Sequence, residues 1–203
     1  MNKVILKISE YILLGLFIFN TNLFANEQID LKNSLLNKID KVGQIVKDQN
    51  LSKEQRNTEI LNVLTPMFDF KLMARLSLGR TFKKLKESDK ERFVNLYVER
   101  MKQSYSSKLD AYSDEKVKVK EIKQPKKNRI YIITDLISDD EKLEIVYKFY
   151  KSKEQLETKN DWLIYDIEIS GISILRTDKI QFREYLQTKS IYELMNFLEN
   201  KNK

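Results

Sequence analysis

The apolar positions of this chain recur at helical spacing in its first half and alternate in pairs in its second. Leu31, Leu35, Leu36, Ile39, Val42 and Val46 form one stripe with Lys and Asp between them, which predicts a helix. Asn50-Leu51-Ser52 breaks it, and Ser52 with Gln55 forms a capping box for the next helix. That helix carries Ile60, Leu61 and Leu64 and ends near Thr65-Pro66, because proline cannot continue it. Asp69 caps a short helix over Phe70–Leu78 that stops at Gly79. Ser88 and Glu91 then form a second capping box, opening a long helix. Its stripe is Phe93, Leu96, Tyr97, Met101, Tyr105, Leu109 and Tyr112.

After Asp114 the period changes to two. Val117 and Val119 alternate with lysines, which predicts a strand with one solvated face, and Gln124-Pro-Lys-Lys-Asn128 reads as a turn. Arg129–Ile137 is apolar on both faces in its middle, as a central strand is. Ser138-Asp-Asp140 makes a hairpin turn. Leu143, Ile145, Tyr147 and Phe149 share one face of the next strand, and a polar loop follows over Lys151–Asn160. Trp162–Ile169 is a fourth strand, with Leu163, Tyr165, Ile167 and Ile169 on one face. Helix returns after Ser173, first around Lys179–Gln187 and then over Ser190–Asn200. The predicted architecture is α+β: a curved four-stranded antiparallel sheet with helices packed on one face, enclosing an apolar cavity of NTF2-like shape.

The N-terminal segment stands outside this pattern. Lys3 and Lys7 precede the apolar run Tyr11–Phe19, and Ala25 follows at a plausible cleavage position. The run is shorter than the roughly 20 apolar residues that span a bilayer. Residues 1–25 therefore read as a cleavable signal peptide, with an uncleaved anchor as the alternative, and 26–203 as a single domain. Removing the leader's net +1 from the +7 of the whole chain leaves +6.

Composition narrows the chemistry. The chain has no His and no Cys, and 4 Gly among 203 residues. That excludes a His-based triad, imidazole or thiolate metal sites, and disulfides, and it leaves no Gly-rich phosphate cradle. Export makes nucleic acid an unsuitable partner, despite the basic balance. The lysines are dispersed or alternate with Glu, as on a solvated surface, or serve attraction to anionic lipid or an acidic protein.

Three constellations remain. The first is the apolar inventory: Ile130, Ile132, Tyr147, Phe149, Trp162, Tyr165, Ile167 and Ile172 from the sheet region, and Phe68, Phe70, Met73, Leu76, Phe82, Phe93, Tyr97, Met101 and Tyr105 from the helices. An ordinary core would use the same residues, but each buried Tyr needs a polar partner, as at a cavity mouth. The second is Asp166 with Glu168, two apart on a strand and so on one face. They form either a carboxylate pair for acid–base or hard-metal chemistry or a polar, solvent-facing strand side. The third is Phe68-Asp-Phe-Lys-Leu-Met-Ala-Arg-Leu-Ser-Leu-Gly79, a capped amphipathic helix followed by basic residues.

This third segment resembles the MlaC family, the toluene-tolerance auxiliary component of an ABC transport system. Trp162 to Asp166, continuing through Ser170-Gly171-Ile172-Ser173, is similar to the same family's second motif. Two positions depart from it. Phe82 stands where the family usually carries Trp, and Arg176-Thr-Asp-Lys179-Ile-Gln181-Phe182 stands where relatives tend to show a Tyr-Arg pair before Gln-Phe. The resemblance implies a periplasmic, monomeric phospholipid-binding protein that is not an enzyme and needs no cofactor or metal. Its cargo would lie against the inventory above, from Phe70 to Ile172. It would pass lipid between an outer-membrane lipoprotein complex and an inner-membrane ABC transporter with an MCE-domain subunit, maintaining outer-membrane lipid asymmetry. Arg75, Arg80, Lys83 and Lys84 are the candidate docking residues. The competing reading is an NTF2-like small-molecule-binding protein or enzyme of the envelope, which would place polar groups inside a cone-shaped pocket.

Overall fold

The computed structural model describes residues 26–109, 116–138, 141–152 and 161–201, with backbone alone over 105–109. The expected signal peptide and the Asp139-Asp140 part of the hairpin turn lie outside these, as do most of the polar loop and Tyr112. The chain forms two compact units, Met1–Asn37 and Lys38–Lys203. In the first, residues 26–37 are helical and Leu31 and Leu35 are buried.

In the second unit, residues 38–47 are helical (α1), and Val42 packs with Ile60 and Val63 of α2, Lys53–Leu64. The Ser52–Gln55 capping box is present in both directions. A 3₁₀ turn over Thr65–Met67 follows, with Pro66 in its first positions, where a missing N–H costs no helical bond. Asp69 caps α3, Phe70–Leu78, by accepting the Leu72 N–H at 2.7 Å. Gly79 has φ +57° and ψ −117°, a backbone region open to glycine alone, and it turns the chain directly into α4, Arg80–Lys84.

The long helix α5, Glu87–Leu109, starts one residue before the expected cap. Lys90 N–H donates to the Lys86 carbonyl, so Ser88 lies inside the first turn and is not its cap. The last helices are α6, Ile174–Tyr185, and α7, Ile191–Lys201. The expected start of α6 near Lys179 is corrected by five residues. Ser173 caps it, accepting the Arg176 N–H at 3.0 Å. Ser190 and Glu193 exchange hydrogen bonds at the start of α7, a capping box that its sequence spells out. Helices α3 to α7 share one core, where Phe93 meets Phe82 and Phe182 edge-on at 6.4 and 5.8 Å between ring centres.

The sheet is an antiparallel meander in the order β1-β2-β3-β4-β5, one strand more than expected. Its strands are β1 Lys116–Lys126, β2 Arg129–Ile137, β3 Lys142–Lys151, β4 Trp162–Ile169 and the two-residue β5, Ile172–Ser173. Ser170 and Gly171 join β4 to β5 with φ of +48° and +80°, the two left-handed residues of a tight hairpin turn. The turn expected at Gln124–Asn128 is shorter than its sequence suggests. The strand runs through Pro125 to Lys126, which is tolerated because β1 is an edge.

Irregular pairing in β1 and between β3 and β4 bends the sheet. The second irregularity is decisive for the faces of β4. Lys148 pairs with Asp166 and Phe149 with Ile164, so Tyr165 is an extra residue. Trp162 and Ile164 before it, and Ile167 and Ile169 after it, therefore share a face, while Leu163 and Tyr165 do not join them. The simple alternation expected for this strand is corrected at that point.

Candidate functional site

One face of the sheet is built from aliphatic and aromatic residues. Ile130 pairs with Phe149 and Ile132 with Tyr147; Phe149 in turn pairs with Ile164, and Tyr147 with Ile167. Apart from the half-buried Tyr147, these are buried, as is Trp162. Six of the eight sheet-region residues expected to point inward thus lie together. Tyr165, carried off by the bulge, sits on the other face, where its hydroxyl is 3.2 Å from that of Tyr131. Burial, and next this hydrogen bond, push the Tyr165 phenol well above its ordinary pKa.

From the helices, Phe70, Met73, Phe82, Phe93, Tyr97 and Met101 are buried in the shared helical core. Leu76 is instead 37% exposed on the outer side of α3, and the side chain of Tyr105 lies outside the described residues. Ile172 is 65% exposed at the β4–β5 turn.

A cavity of about 360 Å³ lies between the middle of α5, the β4–β5 hairpin and the start of α6. Met101, Ile169, Ile172 and Ile174 form its apolar wall, and Arg100, Ser104, Thr177 and Asp178 its polar one. Only Met101 and Ile172 of these belong to the expected lining set. The polar wall was not visible in the sequence, because Arg100 and Asp178, which pair in it, lie 78 residues apart. Asp178 is 2% exposed and accepts from the Tyr97 hydroxyl at 2.8 Å and from Arg100 Nη1 at 2.6 Å. The Arg100 guanidinium also lies 5.5 Å from the centre of the Phe182 ring. The phenol of Tyr97 therefore finds its polar partner inside the fold and not at a rim.

The two carboxylates of β4 are neither a solvated strand side nor a free acid–base pair. Asp166 is 4% exposed, and Lys148 Nζ bridges it to Glu168 at 3.0 and 2.6 Å. Asp166 also accepts from the Ser173 hydroxyl at 2.8 Å and the Leu175 N–H at 3.1 Å. An ammonium and two further donors thus occupy three of the roughly four acceptor positions of this carboxylate. It ties β4 to the first turn of α6.

Burial pulls the Lys148 ammonium toward deprotonation, but the hydrogen bonds to Glu168 and Asp166 outweigh it, and its pKa lies above the ordinary 10.5. A lysine raised on folding stabilises fully below its unfolded pKa and loses that contribution as pH rises through the folded one. Urea unfolding followed upward from pH 9 should thus show stability falling beyond about 10.5. Lys148→Met should start lower and fall less steeply; an unchanged slope would mean that Lys148 has no part in it.

A second tie holds α3. Asp69 N–H donates to the Ile164 carbonyl at 3.0 Å, and Phe68 forms a parallel bridge to Ile164. The Tyr150 hydroxyl donates to Asp69 Oδ2, the same carboxylate that caps α3. Arg129 stacks over Tyr150 and Tyr165 at 5.1 and 4.8 Å. Both motif segments, Phe68–Gly79 and Trp162–Ser173, thus meet at β4. Among the described residues no group of three or more acidic side chains could hold a metal ion, and no helix is long and apolar enough to cross a membrane.

The fold is therefore an α+β domain in which a curved antiparallel sheet is joined to its helices through two carboxylate ties, the buried Asp166 and the half-buried Asp69. Residues 37–200 match the protein family described as MlaC protein, and the chain belongs to that family. Among solved structures it is similar to a phospholipid-binding protein from Ralstonia solanacearum, determined in complex with a phospholipid. The TM-score is 0.70 at 19% identity, over 86% of this chain and 96% of that one. No curated protein matches.

Proposed function

We propose that the protein is a periplasmic phospholipid carrier. Membership of the MlaC family over residues 37–200 is the observation that carries this reading. A fold shared with a protein crystallised around a phospholipid supports it. In this reading residues 1–25 direct export and 26–203 form one lipid-binding domain. The acyl chains lie against the apolar sheet face of Ile130, Ile132, Tyr147, Phe149 and Ile167 and the facing residues of the long helix. The cargo passes between an outer-membrane lipoprotein complex and an inner-membrane ABC transporter with an MCE-domain subunit, and so maintains outer-membrane lipid asymmetry.

The energetics favour such a carrier. Two acyl chains hold about 30 methylenes, each worth ~0.8 kcal/mol on burial, so free transfer through water faces a cost above roughly 20 kcal/mol. An apolar interior comparable to the bilayer brings exchange close to thermoneutral, without chemistry on the carrier itself. The tied state of Asp166 and Glu168 fits a protein that holds its ligand and does not transform it.

Native mass spectrometry of gently purified protein, with lipid extraction of the same sample, tests the reading. A mass increment of one phospholipid, lost on denaturation and recovered in the extract, is expected. Purified protein free of phospholipid, and unable to take it up from vesicles, would overturn it.

A further inference from the structure

The segment between Asp69 and Glu87 holds six cations, Lys71, Arg75, Arg80, Lys83, Lys84 and Lys86, and no acidic residue. All six are exposed. The reason is geometric. Helices α3 and α4 turn Phe70, Met73, Leu78 and Phe82 into one core, and the cations fall at the positions of these helices and of the following loop that stay exposed. Among the described residues none of the six is held in an ion pair. Other cations of the chain are: Lys120 meets Glu144, Lys142 meets Asp135 and Lys148 meets Asp166. Leu76, which follows Arg75 in α3, is exposed as well.

We propose that the α3–α4 surface docks directly on an anionic lipid bilayer. Three features favour a bilayer over an acidic polypeptide. The charges are spread over two helices and the loop after them, and are not gathered at one point, which suits an extended field of headgroups. Four of the six are lysines, which act as point charges and need no bidentate geometry. An apolar side chain among long cationic stems is the composition of an interfacial surface, the aliphatic part entering the headgroup layer while the charges stay at it. Each cation near an anionic membrane contributes about fivefold in affinity. The attraction reaches about 10 Å in 0.1 M salt and about 3 Å in 1 M. This inference does not depend on what the interior holds.

Vesicle flotation with purified protein tests it, comparing phosphatidylcholine vesicles with an equimolar mixture of phosphatidylcholine and phosphatidylglycerol. Binding is expected to the mixed vesicles alone and to disappear in 1 M salt. The double variant K83A/K84A should bind them about 25-fold more weakly. The equally charged control K126A/K127A, in the β1–β2 hairpin, should bind like the parent. Leu76→Ser should weaken binding severalfold. Circular dichroism unchanged from the parent would show that the variants are folded, as substitution of exposed side chains predicts. Equal binding to both vesicle types, or equal loss in the two double variants, would overturn the proposal. So would tighter binding to polyglutamate than to the mixed vesicles at equal anion concentration, lost in K83A/K84A, which would reassign the surface to an acidic polypeptide.

Discussion

Asp178→Ala should lower the free energy of unfolding by about 3–5 kcal/mol, the range seen when one partner of a buried ion pair is removed. The carboxylate serves two donors from α5 at once, the Tyr97 hydroxyl and Arg100 Nη1. Its loss strands a fully buried phenol packed against Phe93 and Phe182, and leaves the guanidinium with the Phe182 ring and a 3.3 Å hydrogen bond to Gln181. Asp178→Asn should cost less, about 1–3 kcal/mol, because an amide oxygen still accepts from Tyr97. Tyr97→Phe, which removes a donor and leaves the acceptor with Arg100, should cost about 1 kcal/mol. Urea unfolding measures all three. Asp178→Ala within 1 kcal/mol of the parent would show that α5 and α6 are held by packing alone. The same wall of the cavity would change shape, so the variant's lipid content reports on whether the tie also shapes the interior.

The second large effect is expected at β4. Asp166→Ala removes the acceptor of Lys148, Ser173 and the Leu175 N–H together. A cost of about 3 kcal/mol follows, set by the half-buried ammonium left with Glu168 and the Tyr131 ring. The more specific signature is local. Leu175 and Arg176 N–H belong to the first turn of α6, and both are held by the Asp166–Ser173 pair. Their hydrogen exchange should accelerate more than that of α7 amides. Ser173→Ala, which removes only the cap and one donor, should cost about 1 kcal/mol. Uniform acceleration across all helices would mean that Asp166 stabilises the fold without positioning α6.

Much of this molecule was legible from short-range rules. The bounds of α3, set by Asp69 and Gly79, and the Ser52–Gln55 cap of α2 depend on residues within one turn of each other. So does the start of α7. The alternation of β2 and β3 likewise shows which residues share a face. What escaped is long-range. The bulge at Tyr165 arises from pairing with β3, and no local alternation reports an inserted residue. The early start of α6 is set by the Ser173 cap together with Asp166, which reaches forward nine residues to Leu175, and the second of these is invisible to a local pattern. Ser88 with Glu91 satisfies the capping pattern, yet the helix begins earlier, because a pattern of residue types does not record which carbonyl closes the first turn. For the candidate site, the aliphatic side was readable because apolar strands announce themselves. The polar wall of Arg100, Thr177 and Asp178 was not, since each of these reads alone as an ordinary polar position on a helix.

The irregular β1 strand has a bearing on the protein's behaviour in a crowded compartment. An open sheet offers unpaired N–H and C=O groups along its outermost strands, which can recruit strands of other molecules into aggregates. Here β1 carries Lys116, Lys118, Lys120, Lys123 and Lys126, a bulge, and Pro125, which has no N–H to offer. At the opposite margin, β5 and the Phe68 bridge to Ile164 occupy β4 at both of its ends. A strand from a neighbouring molecule thus meets like charge and broken register on one side and occupied hydrogen-bonding groups on the other. The meander stays open as a sheet while being closed to polymerisation.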